Sequence, residues 1–477
     1  MNALTPFRDS RIARPLLCAG MLCAAVALVL GQLVGCSSNA VTGATSGITG
    51  KAAVTVPVLI TDAPSDQLVA FSLTLNSIVL TDSAGSTTSV LSTPTTIQVC
   101  SLNGIQAPLV TASIPEDTYV SAAITFSNPA ITYINSSGQP VVASPVLATT
   151  SYTATFAAPI AITNTSSSLL FDLLASQSVT ISGTTVTVSP VFSVKAVPSM
   201  TAAPPAGQNG TGMQQMGTVV SVSGTSVTIE PGSGADFTVT TNSSTVFQGF
   251  SSLSSLVAGE LVQVDFVVET GGVYLATSIR LAPQPPNGQQ PNMLNGPVTA
   301  LVAGTGFKMA LMQGLGPAVS PTSAGAIYTV TTTSSTTFAI TPQFVSLSGL
   351  PFTPTFTAAT LTPGQTVGVT ASAVSTTADT ATASTVYLIP QTIGGTVAAI
   401  TTSGSYTVYT LTLASGSAFG SLSGATTVTV YTSTATAGLS TTPIVVGSTV
   451  RFNGLIFNSG GTFQMVSGVC PDGAPGA

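Results

Sequence analysis

The chain has 477 residues, of which only 5% are charged, with eight Lys+Arg against fourteen Asp+Glu and neither His nor Trp. So few basic side chains cannot lay out the cationic stripe that a phosphate backbone needs, which excludes nucleic acid as a partner. The lack of His excludes Ser–His and Cys–His nucleophilic catalysis and the common His-based metal centres, while 44% hydrophobic content is too high for disorder and the length predicts several domains.

The N-terminal segment MNALTPFRDSRIARP carries Arg8, Arg11 and Arg14 ahead of the uncharged run LLCAGMLCAAVALVLGQ. A positive region followed by a short apolar stretch has the form of a secretory signal. A permanent transmembrane helix would need about 20 apolar residues, and this run ends in Gly31 and Gln32. The next residues, Leu33-Val34-Gly35-Cys36, resemble the lipobox of bacterial lipoproteins. The resemblance implies cleavage after residue 35, a diacylglyceryl group on the Cys36 sulfur and acylation of its new amine. Ser37, in place of Asp, resembles lipoproteins sorted to the outer membrane. The expected location is therefore the cell envelope, at the outer membrane, with the N-terminal lipid as anchor. Two or more acyl chains hold stably, at about 0.8 kcal/mol per buried CH₂.

Losing residues 1–35 would leave five basic side chains, Lys51, Lys195, Arg280, Lys308 and Arg451. Cys18 and Cys23 leave with the leader and Cys36 is lipidated, so Cys100 and Cys470 remain. A secreted chain permits a disulfide between them, but two cysteines give no spacing signature. A bridge and two separate buried thiols both remain open.

Residues 36–53 are small and polar and read as a flexible tether. Segments 198–216 and 282–295 are rich in Pro, Gly, Gln and Asn and read as linkers. They separate a domain at 54–197, a first repeat at 217–281, and a second and third at 296–390 and 394–470. Val, Ile, Thr, Tyr and Phe dominate the periodic stretches and Gly and Pro punctuate them, which is an all-β composition.

The first domain holds VPVLITDAPSDQLVAFSLTLNSIVL (56–80), a strand ending in Thr-Asp-Ala-Pro and then a second strand, and PEDTYVSAAITF (115–126), a turn running into a strand. These resemble the bacterial domain of unknown function 4382, with Asp117 where that family has Gly, and imply a β-sandwich-like fold. If the strands near 54–60, 71–80, 95–99 and 119–126 alternate in direction, Asp62, Asp66, Glu116 and Asp117 share one end. Four carboxylates there could begin a Ca²⁺ site, since hard cations take six to eight oxygens. The alternative is ordinary turn chemistry, Asp62 starting a turn and the others solvated.

The rest of the chain repeats. GTVVSV (217–222), GPVTAL (296–301) and GTVAAI (395–400) open three units. FTVTTNSSTVF (237–247), YTVTTTSSTTF (328–338) and TTVTVYTSTAT (426–436) follow, then VAGELVQVDF (257–266), TPGQTVGVTA (362–371) and VVGSTVRFNG (445–454). Each unit closes on a strand, at 273–281, 382–390 and 462–470. Alternation such as Val262, Val264 and Phe266 marks strands with one buried face. Five strands with so few charges to guard their edges predict a small closed β-barrel-like domain per unit. The units resemble the bacterial domain of unknown function 5666, through the G-x-V opening strand, the G-x-x-V-x-V strand and the final Ala276-Thr277-Ser278-Ile279 and Ala383-Ser384-Thr385-Val386 elements.

Neither resemblance implies a mechanism. No Walker loop, dinucleotide fingerprint or ligand-spaced Cys pair is present, so no catalytic residue and no cofactor are expected. The reading is a non-enzymatic structural or surface-display protein that meets the membrane through its lipid. The alternative is an accessory binding lipoprotein for an envelope glycan, a metal ion or a protein partner.

Overall fold

The computed structural model describes residues 51–63, 67–102, 105–165, 168–199, 213–232, 235–282, 291–319, 325–340, 345–414, 416–436, 439 and 443–470. They are mostly strand, as the composition predicts. Cys36 and Asp66 lie outside them. Among the described residues no helix is long and apolar enough to cross a membrane.

The first domain contains β1 (Ala53–Ala63), β2 (Leu68–Asp82), β3 (Thr87–Leu91), β4 (Thr95–Gln98), β5 (Ala107–Pro115), β6 (Asp117–Ile134), β7 (Pro140–Ala143), β8 (Val146–Leu147), β9 (Ser151–Ile162), β10 (Ser168–Leu174), β11 (Val179–Ser182), β12 (Thr185–Val188) and β13 (Phe192–Val197). One sheet runs β13-β10-β1-β5, with β1 and β10 parallel; a second is built on β3-β2-β6-β7, with β4 on β2 and β9 on β6. The two face each other as a sandwich. Val56, Val58, Ile60, Leu169 and Phe171 come from the first sheet, and Leu73, Leu75, Ile78, Leu80, Ile124 and Phe126 from the second. The period of two selects these residues, because alternate side chains of a strand share a face.

The first barrel comprises β14 (Gln214–Ser223), β15 (Ser226–Pro231), β16 (Phe237–Thr240), β17 (Val246–Gln248), β18 (Leu261–Glu269) and β19 (Val273–Leu281). The second comprises β20 (Asn292–Val302), β21 (Gly306–Ala310), β22 (Gln313–Leu315), β23 (Ile327–Thr331), β24 (Thr337–Ile340), β25 (Thr366–Ser375) and β26 (Thr380–Leu388). The third comprises β27 (Gln391–Ser403), β28 (Tyr406–Leu413), β29 (Thr427–Thr432), β30 (Thr449–Ser459) and β31 (Thr462–Val469). In each, five principal strands close a ring in the order first, second, third, fifth, fourth. Among these five the parallel pair joins third to fifth: β16 to β19, β23 to β26, β29 to β31. The first strand of each ring starts before its signature glycine, so part of the Gln- and Asn-rich flank is ladder.

The repeated residues have repeated jobs. Asn242, Thr333 and Ser433 each donate a backbone N–H to the hydroxyl of the Thr three residues on, at 3.0, 2.8 and 3.0 Å. Those hydroxyls, of Thr245, Thr336 and Thr436, donate to carbonyls of the fifth strand at Ala276, Ala383 and Ser467, 2.7 to 2.9 Å away. The turn is thereby stapled to the ladder. Gly259, Gly364 and Gly447, at φ of 93°, 93° and 90°, make the turn into the fourth strand, a conformation that side chains resist. Each then donates its N–H to a first-strand carbonyl, of Val219, Val298 and Val397.

The described residues from Lys51 on form one unit, and apolar side chains cross its internal boundaries. Leu59 and Leu170, on the far face of the first sheet, enter the core of the first barrel. Leu261 and Ala282 of the first barrel pack with Met293 and Leu315 of the second. Leu455, Phe457 and Val466 of the third lie in the core of the second.

Candidate functional site

Of the carboxylates expected at one end, Asp66 lies outside the described residues, and Asp62 does not meet Glu116 and Asp117. β5 intervenes between the expected strands and runs antiparallel to β1, pairing Pro115 with Ala53. Glu116 therefore sits at the start of β1, its N–H donating to the Ala52 carbonyl at 2.7 Å. Asp62 lies at the other end of β1, about 30 Å away at ~3.3 Å per residue. Among the described residues no three of His, Cys, Asp and Glu converge as a metal site. β5 is the strand the spacing does not predict, and it reverses the direction of everything after it.

Glu116, Asp117 and a third carboxylate, Asp82, have local work instead. Glu116 Oε1 accepts from the N–H of Asn164 at 2.6 Å. Asp117 caps its own strand through the Thr118 N–H and is paired with Lys51. Asp82, buried at the β2–β3 turn, accepts from the N–H groups of Ala84 (2.9 Å) and Ser86 (2.7 Å), with Lys51 Nζ at 3.7 Å. Burial pushes the Asp82 carboxyl up. The Ser86 and Ala84 N–H groups and Lys51 outweigh it and hold the group below the ordinary carboxylate range. A depressed folded pKa gives stability that is complete above the unfolded value, about 3.9, and is lost as pH falls through the folded one. Asp82→Asn should flatten the acid limb of stability below about pH 4 while leaving the neutral region level. Urea midpoints across that range test it; an unchanged acid limb would contradict it.

Cys100 and Cys470 are not bonded to each other. Cys100 packs against the first-domain core and Cys470 belongs to the core of the third barrel. Burial pushes the Cys100 thiol up, and the charge of Asp62 adds to it, so it is a poor nucleophile. Alkylation in denaturant without reductant should modify both thiols. A requirement for reductant would show the bridge.

Two other polar clusters stand out. On the first barrel, Asp265 Oδ2 accepts from Ser278 (2.6 Å) and Oδ1 from Gln214 (2.7 Å), while Arg280 donates to Gln248 and Gln263 at 3.0 Å each. Burial draws the Arg280 pKa down and the Asp265 charge opposes it. Both carboxylate oxygens are engaged, which suits a brace between strands better than acid–base work. The second cluster lines a cleft of about 70 Å³ where the first domain meets the second and third barrels, among Cys100, Thr366, Gln391, Ser417 and Phe419. Gln391 spans it, accepting from the Thr366 N–H at 2.7 Å and donating to the Gly364 carbonyl at 3.0 Å.

Residues 216–280, the stretch that folds as the first barrel, match the family model described as Domain of unknown function (DUF5666). No curated protein matches the chain.

Proposed function

We propose that this is a lipid-anchored cell-envelope protein whose folded body has a structural or surface-display role and catalyses no reaction. The observation that carries the reading is the sharing of cores: Leu59 and Leu170 in the first barrel, Leu455, Phe457 and Val466 in the second. Interdomain contacts within a chain are usually polar and permit relative motion. Apolar side chains inserted into a neighbour's core favour a stiff body, as a spacer or display scaffold requires. The leader supplies the anchor, through Cys36 and outer-membrane sorting by Ser37. In this reading the first domain is kin to the domain of unknown function 4382. The second and third barrels are divergent copies of the family matched by the first, supported by their common turn threonines and glycines.

A membrane-impermeant amine reagent on intact cells tests the display role, with Lys51, Lys195 and Lys308 as targets. Labelling of intact cells is expected. Labelling only after the outer membrane is permeabilised would place the body in the periplasm and overturn that role.

A further inference from the structure

The folded body is built as two halves. The first domain and the first barrel share one core through Leu59 and Leu170. Gly272 of that barrel lies so close to β1 that a Cβ there would stand 2.7 Å from the Thr55 carbonyl oxygen. The second and third barrels share another core through Leu455, Phe457 and Val466, reinforced by the hydrogen bonds of Gln365 and Gln391. Between the halves the described joints are of a different kind. Leu261 and Ala282 meet Met293 and Leu315 in a small separate cluster, beside the place where the chain crosses, between Ala282 and Pro291. A second small cluster joins Val69 and Ile134 of the first domain to Ala310 of the second barrel and Ala418 of the third.

That second contact is made largely by small residues. Ala418 opens a short helix, Ala418–Ser423. Gly138 comes close to the Ser421 carbonyl, Gly416 comes close to Gln67, and Gly325 lies against Ala70 and Thr132. Apolar stabilisation scales with the area removed from water, and Ala and Gly remove little. The Thr132 hydroxyl crosses the contact to donate to the Gly325 carbonyl at 2.8 Å. The cleft of about 70 Å³ opens beside it, and Val69 and Ala418 belong to both. Leu68 and Cys100 line the cleft from one half, Gln391 and Phe419 from the other.

We propose that the two halves hinge about the joint of Leu261 with Met293 and part at the Ala418 contact, so that the cleft between them opens and closes. A chain crossing next to one small apolar joint, with a second weak contact and a cleft shared by the facing surfaces, is the arrangement of hinge closure. The shared cores make each half stiff, and the halves move as units. Such motion goes beyond the anchoring and display role and does not rest on it. Opening bares the Cys100 thiol, which burial otherwise keeps protonated.

The test follows modification of Cys100 on the folded full chain by a polyethylene-glycol maleimide, a reagent larger than the cleft. Cys470, in the core of the third barrel, is the internal reference for unfolding. Cys100 is expected to react at least about tenfold faster than Cys470, since partial opening costs less than unfolding. Thr132→Cys together with Gly325→Cys staples the halves. A Cβ at Gly325 stands 3.9 Å from the Thr132 Cβ, within the range of about 3.5–4.5 Å for a disulfide. The oxidised staple should bring Cys100 down to the Cys470 rate, and reduction should restore it. Equal rates in the unmodified chain would overturn the proposal, as would a formed staple that leaves Cys100 as fast. Gly325 has a φ of 92°, so where the staple does not form, Ala418→Asp takes its place and sets a charge against Val69 and Ile134. It should speed Cys100 at least about tenfold at an unchanged Cys470 rate, because a buried charge without a partner favours the open form. An unchanged Cys100 rate would overturn the proposal.

Discussion

Gly296→Ala is expected to destabilise the second barrel by about 3 kcal/mol or more, the upper range for forcing an atom into a filled site. A Cβ at Gly296 would stand 1.8 Å from the Ala310 carbonyl oxygen. That atom belongs to the backbone of the neighbouring strand and has no rotamer to escape into. The first strand of each ring pairs on both sides and bulges just beyond this point, between Val298 and Ala300 here and at the equivalent Val219/Ser221 and Val397/Ala399 positions. Bulges and glycines let a strand turn the corner that closes a small barrel. Gly395 and Gly217 are in the same position, with Cβ distances of 2.1 and 2.4 Å to the Thr412 and Glu230 carbonyl oxygens. Gly304→Ala is the control: its φ is +70° but no atom lies within reach of a Cβ, so only the left-handed penalty of about 1–2 kcal/mol applies. Urea denaturation of the two variants decides the point. A Gly296→Ala cost no larger than that of Gly304→Ala would contradict it.

Phe457→Ala should cost about 3–5 kcal/mol, the range for deleting a buried aromatic ring, and should loosen two barrels rather than one. Phe457 is on β30 of the third barrel but is buried in the core of the second, with Leu455 beside it. Gln365 of the second barrel reinforces the joint by donating to the Ile456 carbonyl at 2.8 Å. Hydrogen exchange should therefore show β25 and β26 losing protection together with β30 and β31. Loss confined to β30 and β31 would mean that the shared core does not couple them.

Much of this architecture was legible because each repeat spells out its geometry. The opening glycines and the glycines at 259, 364 and 447 recur where a close approach or a positive φ requires them, and the threonines at 245, 336 and 436 recur where a hydroxyl staples the turn. Joints between domains are harder to read, because a side chain in a neighbour's core looks like any other apolar residue. One signal was available. Val58-Leu59-Ile60 and Leu169-Leu170-Phe171 are unbroken apolar triplets, which mark strands buried on both faces rather than one. The carboxylate grouping depends on strand direction: β5 is absent from the strands expected near 54–60, 71–80, 95–99 and 119–126, and it inverts the end at which Glu116 and Asp117 lie. On the outer face of the third barrel Val408 and Tyr431 stand where the first has Ser226 and Thr240, and Tyr406 extends the strand beyond them. Only the pairing register shows that those residues face outward and need a cover.

The proposed anchor is a lipid on one sulfur, that of Cys36. Mass spectrometry of the N-terminal peptide from protein isolated in its native cells measures it directly. The expected result is a chain beginning at Cys36, carrying a diacylglyceryl thioether and an acylated amine. An unprocessed chain, or one with an unmodified Cys36 thiol, would contradict it.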